Sequence, residues 1–185
     1  MITQSPLLVL PVSERDHIRG PVTAPITLLE YGDYECPYCG AAHPAVQEIR
    51  RRMENRLRFV FRHFPIASVH SHAEPAAETA EAAGAQGKFW AMHDRLYEHQ
   101  DSLEDDDLLA HAQAIGLDIN RLISELAGGL HGRRVREDFL SGVRSGVNGT
   151  PTFFINGVRH DAGFDLESLM EALERVRQVR SRTAY

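Results

Sequence analysis

Residues 26–53 have the sequence ITLLEYGDYECPYCGAAHPAVQEIRRRM. This stretch contains the only two cysteines of the chain, Cys36 and Cys39. An apolar run at residues 26–31 precedes them and favours a buried strand, and a run with helical periodicity follows them to about Met53. A strand, a C-x-x-C motif and a helix in this order are typical of a redox-active dithiol.

The two cysteines have different expected positions on the helix. Cys36 falls at the helix N-terminus, where unpaired backbone N–H groups and the helix dipole stabilise a thiolate. Pro37 suits the first helical turn because it has no N–H to lose and its φ is already helical. Cys39 lies one turn further in. We therefore predict that Cys36 is the nucleophile and Cys39 the resolving thiol.

Two other interpretations of the cysteine pair stay open. The pair could be half of a zinc site, with His43 as a third ligand, but structural zinc usually takes four Cys or His ligands and further cysteines are absent. A structural disulfide would close a very short loop and so would stabilise the fold little. His70 and His72 could also bind a metal, although positions in a loop or at a helix cap are favoured; we predict no metal site.

A second feature lies far along the chain, at residues 149–160. The apolar run Thr152–Ile155 is followed by Asn156-Gly157 and then by Val158-Arg159-His160. Asn-Gly between two β-prone runs is the strongest short-range signal for a hairpin. Pro151 lies at the first edge of the first strand, where the missing N–H is tolerated.

With these two features the chain resembles the DsbA-like members of the thioredoxin superfamily, over roughly residues 17–180. The resemblance implies that Thr150 and Pro151 form a cis-proline loop that faces Cys36 and binds the substrate backbone. It also implies that Glu30 is a buried acidic residue near Cys39 and a candidate proton acceptor for it. The stretch Arg62–Pro65 adds to the resemblance. Pro44 should kink the active-site helix, and Pro37 and Tyr38 should contact substrate.

The dipeptide between the cysteines departs from the strongly oxidising members of the family, which have Pro-His. Tyr38 is neutral and supplies no positive charge to a thiolate, whereas Asp33 and Glu35 add negative charge nearby. In C-x-x-C proteins whose reactive cysteine has a low pKa, that pKa lies between about 3.5 and 7. We therefore expect the pKa of Cys36 to lie toward the upper part of that range.

The element pattern predicts an α/β protein with a thioredoxin fold, in which an all-helical insertion interrupts a βαβ…ββα order. Residues 57–63 alternate apolar and polar side chains, as in a strand, whereas the region between Phe64 and Thr150 has helical patterns. The expected organisation is an N-terminal arm at 1–19, a βαβ half at 20–64, a helical insert at 65–147 and a ββα half at 148–185.

Composition narrows the class of protein. The net charge of −6 argues against a general nucleic-acid surface, and no apolar run is long enough to span a membrane. The first residues make a poor signal peptide, so we expect a cytoplasmic protein. A dithiol reaction needs no dissociable cofactor, and the expected partners are protein or small thiol and disulfide substrates together with a thiol reductant or oxidant.

The sequence thus predicts a thiol–disulfide oxidoreductase. One alternative is glutaredoxin-like reduction of glutathione mixed disulfides, which the Pro-Tyr dipeptide suggests. Another alternative is a non-catalytic redox-sensing module, in which the cysteine pair switches a binding contact.

Overall fold

The structure is a computed structural model that describes residues 6–183, with the side chains of residues 6–178. The strands are β1 (His17–Arg19), β2 (Ile26–Gly32), β3 (Leu57–His63), β4 (Thr152–Ile155) and β5 (Val158–His160). The helices are α1 (Pro37–Met53), α2 (Ala73–Ala85), α3 (Phe89–Glu98), α4 (Asp105–Ala114), α5 (Ile119–Ala127), α6 (Gly132–Arg144) and α7 (Leu166–Thr183). This order confirms the predicted thioredoxin fold with a helical insertion.

The chain forms two compact units. The first contains the described residues up to Tyr31, residues 41–62 and the residues from Ser141 onward. The second contains residues 32–40, where both cysteines lie, and residues 63–140. Most of the helical insert therefore lies in the same unit as the C-x-x-C motif.

The first unit is built on a five-stranded sheet in the order β1-β3-β2-β4-β5. Strand β4 pairs antiparallel with both β2 and β5, and Glu30 lies opposite Phe153. Six of the seven residues of β2 are buried, as the apolar run at 26–31 predicted for a strand covered on both faces. Asn156 and Gly157 both have positive φ, 48° and 83°, as a type I′ hairpin turn requires, so the predicted hairpin is confirmed.

Part of the predicted N-terminal arm pairs with the sheet. Residues 17–19 form β1, which pairs antiparallel with β3 through His17 and Phe61, and Leu7 bridges to Val158. A three-residue strand is too short to produce a periodic signal in the sequence. Residues 17–19 of the predicted arm are thus part of the sheet.

A buried ion pair ties the arm to β3. The Arg62 guanidinium donates to both carboxylate oxygens of Asp16, at 2.7 and 3.1 Å, and both side chains are fully buried. It also donates to the carbonyl oxygens of Leu10 and Pro11 and to the Tyr31 hydroxyl. Burial alone would lower the pKa of Arg62, but the hydrogen bonds to Asp16 raise it overall. The polar residues that alternate with apolar ones along β3 therefore do not form a solvent-exposed face, since Arg62 is buried.

The second unit is mainly helical. Helix α2 packs against α3, α4 and α5, and it is rich in buried alanines that allow close approach. Asp118 caps α5 by accepting from the Arg121 N–H. Helix α2 continues through Gly84 to Ala85, and Gly87, which has a left-handed φ of 74°, follows its end. Within residues 6–183, no helix is long and apolar enough to cross a membrane.

We predict that Asp16→Ala lowers the free energy of unfolding by about 3–5 kcal/mol, because it leaves the Arg62 charge buried without its carboxylate. Urea unfolding at pH 7 measures the change. The control is Glu137→Ala, which removes an exposed ion pair with Arg133 and should cost about 1 kcal/mol or less. Equal effects of the two substitutions would contradict a structural role for the buried pair.

Candidate active site

Cys36 occupies the N-cap position of α1. Its backbone N–H donates to the Asp33 carbonyl oxygen at 3.2 Å, and its own carbonyl oxygen accepts from the Gly40 N–H at 3.1 Å. The helix begins at Pro37, and Pro44 lies inside it. The predicted placement of Cys36 at a helix N-terminus is therefore confirmed, and the sulfur lies where the helix dipole favours negative charge.

The two sulfurs differ in their access to solvent. Cys36 is 4% exposed and Cys39 is 0% exposed, and both are free cysteines. Tyr38 between them is 62% exposed, and Pro37 is also exposed. Of the two cysteines, Cys36 alone has surface exposed to solvent. A disulfide from another molecule could therefore reach Cys36 but not Cys39.

A buried carboxylate fixes the segment that leads into α1. Asp33 is 1% exposed. Its Oδ1 accepts from the Glu35 N–H at 2.9 Å, and its Oδ2 accepts from the Ile66 N–H and from His70 Nδ1, both at 2.8 Å. Hydrogen bonds of this kind offset the cost of burying a carboxylate. Asp33 therefore holds the loop at residues 66–72 against the residues that precede Cys36.

A second acid–histidine pair lies beside the first. Glu35 accepts from the His72 N–H at 2.6 Å and from His72 Nδ1 at 3.1 Å. Burial by itself would raise the pKa of Glu35, but the hydrogen bonds from His72 and the nearby charge of His70 lower it below the ordinary value. Glu35 thus stays ionised and engaged with His72.

These pairs correct the electrostatic argument made from the sequence. The sequence argument counted Asp33 and Glu35 as negative charges near Cys36, and it did not include the histidine to which each of them is bonded in the structure. Burial by itself would lower the pKa of His70, but its hydrogen bond to Asp33 and the charges of Asp33, Cys36 and Glu35 raise it. His72 occupies the N-cap position of α2 and His70 the turn before it, as the loop or helix-cap interpretation predicted.

Tyr34 anchors the active-site segment in the helical insert. It is 1% exposed, and its hydroxyl is hydrogen-bonded to His93 Nδ1 at 3.1 Å. Its ring packs against those of His63, His93 and Tyr97, with centroids 4.9–5.9 Å apart. Aromatic packing of this kind contributes beyond buried area alone. No local sequence pattern marks Tyr34 as part of the site, because its partners lie far along the chain, on β3 and α3.

Gln100 holds the backbone on either side of Glu35. Its side-chain amide donates to the carbonyl oxygens of Tyr34 and Cys36, at 2.7 and 2.9 Å. Gly40 leaves room for this amide, because a Cβ at that position would overlap the Gln100 side chain. Gln100 lies beyond the end of α3, and no local sequence motif marks it as part of the site.

The remaining predicted site residues lie in the first unit. Glu30 is 2% exposed on β2, which confirms that it is a buried acid. The Thr150-Pro151 peptide bond is cis, as the resemblance implied, and it directly precedes β4. The Thr152 hydroxyl closes this loop by donating to the Gly149 carbonyl oxygen at 2.7 Å. The placement of Thr150 and Pro151 against Cys36, and of Glu30 near Cys39, stays a prediction.

Comparison with known sequences gives one family and a set of longer relatives. A family model described as Thioredoxin matches residues 12–175. A Na(+)/H(+) antiporter NhaA 1 of Salinispora arenicola is 49% identical over 167 residues, which are 90% of this chain and 26% of that protein. A Na(+)/H(+) antiporter NhaA 1 of Mycobacterium sp. (strain KMS) is 47% identical over 172 residues, 90% of this chain and 28% of that protein. The chain thus spans about a quarter of the length of the curated relatives it matches.

Solved structures show the same fold. A thioredoxin-like oxidoreductase from Silicibacter pomeroyi superposes with a TM-score of 0.80 at 26% identity, covering 90% of this chain and 94% of that one. Oxidised BdbD from Bacillus subtilis gives a TM-score of 0.81 at 21% identity, covering 94% and 97%. Wolbachia pipientis alpha-DsbA1 gives 0.81 at 21% identity, covering 96% and 98%. The similarity extends over the helical insertion as well as the strands.

We predict that Gln100→Ala lowers the free energy of unfolding by about 1–3 kcal/mol, since two partly buried carbonyl groups each lose a hydrogen bond. Gly40→Ala should have a similar effect, because its methyl group displaces the Gln100 amide. Denaturant unfolding of the reduced protein measures both. Gln113→Ala, at an exposed position of α4, is the control and should stay within about 0.5 kcal/mol of wild type. Wild-type stability of both Gln100→Ala and Gly40→Ala would contradict the role given to this amide.

Proposed function

Because this chain belongs to the thioredoxin family and resembles its DsbA-like members, we propose that it is a thiol–disulfide oxidoreductase that exchanges disulfides with protein substrates through Cys36 and Cys39. The observation that supports this most is the asymmetry of the pair. Cys36 lies at the start of α1 with 4% of its surface exposed, and Cys39 is fully buried one turn later. An attacking thiol and a resolving thiol require this difference.

The proposed reduction proceeds in two displacements. The Cys36 thiolate attacks one sulfur of a substrate disulfide, the substrate S–S bond breaks, and the departing sulfur takes a proton. The Cys39 thiolate then attacks Cys36 Sγ, which releases the second substrate thiol and leaves a Cys36–Cys39 disulfide. Oxidation of a substrate dithiol is the same sequence in reverse. The direction depends on the thiol reductant or oxidant that acts as partner.

Three further roles belong to this proposal. Pro37 and Tyr38 form the exposed surface next to Cys36 and would contact the substrate. Thr150 and Pro151 would bind the substrate backbone, as in the family. Glu30 would accept the proton that Cys39 loses before it attacks, and its burial supports a role that outweighs the cost of a buried acid. A cytoplasmic location, inferred from the sequence, completes the proposal.

A second candidate function is redox sensing. The curated relatives named as Na(+)/H(+) antiporters are 40–49% identical to this chain, yet the chain matches only about a quarter of their length. A domain of this kind could report the redox state to a transporter through a binding contact that changes when Cys36 and Cys39 pair. Such a module would be oxidised and reduced without accelerating exchange between a substrate and a thiol pool.

The glutaredoxin-like alternative uses the same cysteine pair as the proposed protein-disulfide exchange but a different substrate, a glutathione mixed disulfide. The Pro-Tyr dipeptide suggests it, and Cys36 alone would attack a glutathione mixed disulfide. A glutathionylated peptide is the probe for this activity. Faster turnover of that peptide than of a protein disulfide would favour the glutaredoxin-like alternative.

We predict that Cys36→Ser abolishes disulfide exchange and that Cys39→Ser accumulates a mixed disulfide between Cys36 and the substrate. In the second variant the attacking sulfur is intact and the resolving one is missing. Non-reducing electrophoresis and mass spectrometry of peptides after reaction with a disulfide-containing protein measure the adduct. Substrate adducts that form on Cys39 in Cys36→Ser as readily as on Cys36 in Cys39→Ser would contradict the assignment.

We predict that Glu30→Gln slows exchange at neutral pH while the protein stays folded, because the amide cannot accept the Cys39 proton. Steady-state rates from pH 6 to 9 measure the effect, and circular dichroism checks the fold. Glu174→Gln, at an exposed position of α7, is the matched control. A Glu30→Gln profile that matches wild type over the whole range would remove Glu30 from the mechanism.

A further inference from the structure

We propose that His70, held by the buried carboxylate of Asp33, is the cation that stabilises the Cys36 thiolate, so that a histidine outside the C-x-x-C motif supplies the positive charge that Tyr38 lacks. The inference rests on the proposed function, in which Cys36 is the attacking thiol. It assigns a role to a residue on the loop at 66–72, which lies about 30 residues after the motif.

Asp33 is hydrogen-bonded to both His70 and Cys36. The Asp33 carbonyl oxygen accepts from the Cys36 N–H, and the Asp33 carboxylate accepts from His70 Nδ1 at 2.8 Å. The same carboxylate oxygen accepts from the Ile66 N–H, which fixes the start of the loop. His70 therefore has little freedom to move away from the N-terminus of α1. Asp33 acts as a positioning residue that works through His70.

The surrounding charges favour a protonated His70. Two carboxylates, Asp33 and Glu35, and the Cys36 sulfur act on it, and all three raise its pKa against the opposing effect of burial. The neighbouring His72 is bonded to Glu35. The His70 side chain is only 19% exposed, so solvent screens its charge less than that of an exposed side chain.

Coupling between two sites is reciprocal, so if the Cys36 thiolate favours protonated His70, then protonated His70 favours the thiolate to the same degree. Reduction of the Cys36–Cys39 disulfide by a substrate dithiol transfers two electrons and two protons. One proton ends on Cys39 Sγ and the other on His70, Cys36 remains as thiolate, and the substrate leaves as a disulfide. Where His70 is already protonated in the oxidised protein, the second proton goes to solvent.

The test measures the Cys36 thiolate directly in the Cys39→Ser background of the full chain, so that a single thiol reacts. Iodoacetamide alkylation rates and thiolate absorbance near 240 nm are recorded from pH 4 to 10. We expect His70→Gln to raise the midpoint by about one pH unit and to slow alkylation about tenfold below the midpoint. His70→Arg keeps the positive charge and should alkylate within about twofold of the parent. His160→Gln, on β5, is the control and should match the parent.

Either of two results would overturn the proposal: alkylation of His70→Gln that matches the parent, or His70→Arg that is as slow as His70→Gln, which would show a packing role alone. If His70→Gln does not fold, NMR titration of His70 in the wild-type chain replaces it. The pKa of His70 should be higher in the reduced than in the oxidised protein, and equal values would reject the proposal. Neither readout depends on turnover, so failure of disulfide exchange with intact coupling would reject only the proposed function.

Discussion

The hydrogen bonds of the Asp33 carboxylate are the interaction on which the candidate site depends. This buried carboxylate accepts from the Glu35 and Ile66 N–H groups and from His70. The backbone carbonyl oxygen of Asp33 accepts from the Cys36 N–H. A buried carboxylate is costly unless such donors surround it. The loop at 66–72 and the start of α1 must therefore keep their arrangement for Asp33 to stay buried. Asp33 therefore fixes both the position of Cys36 and the position of the histidine whose charge we propose acts on it.

The helical insert contributes to the site as well as to the length of the chain. Gln100 holds the carbonyl oxygens of Tyr34 and Cys36, and the Tyr34 ring lies among His63, His93 and Tyr97. Residues 32–40 accordingly form a compact unit with residues 63–140. A short thioredoxin-fold protein without the insert would need other groups to fix the same segment. The insert thus defines the environment of the dithiol.

The sequence predicted the elements whose signals are local. The β2–α1–β3 order and the Asn156-Gly157 hairpin follow from periodicity and turn chemistry over a few residues, and the structure confirms them. Pairings between distant residues could not be predicted: Arg62 with Asp16, Gln100 with the Cys36 carbonyl, and His70 with Asp33. The pairing of His70 with Asp33 changed the electrostatic argument for Cys36. The charges counted along the sequence near Cys36 did not include the histidines that the fold brings to Asp33 and Glu35.

Turnover tests the central claim most directly, since it separates an enzyme from a redox-sensing module with the same dithiol. The wild-type protein is mixed with a large excess of a disulfide-containing protein and reduced glutathione, and the substrate thiols released are counted over time. The account predicts continuous release of many equivalents per protein, at a rate proportional to protein concentration and well above that with glutathione alone. Release that stops after one equivalent, with the protein left oxidised in the presence of the thiol pool, would contradict it.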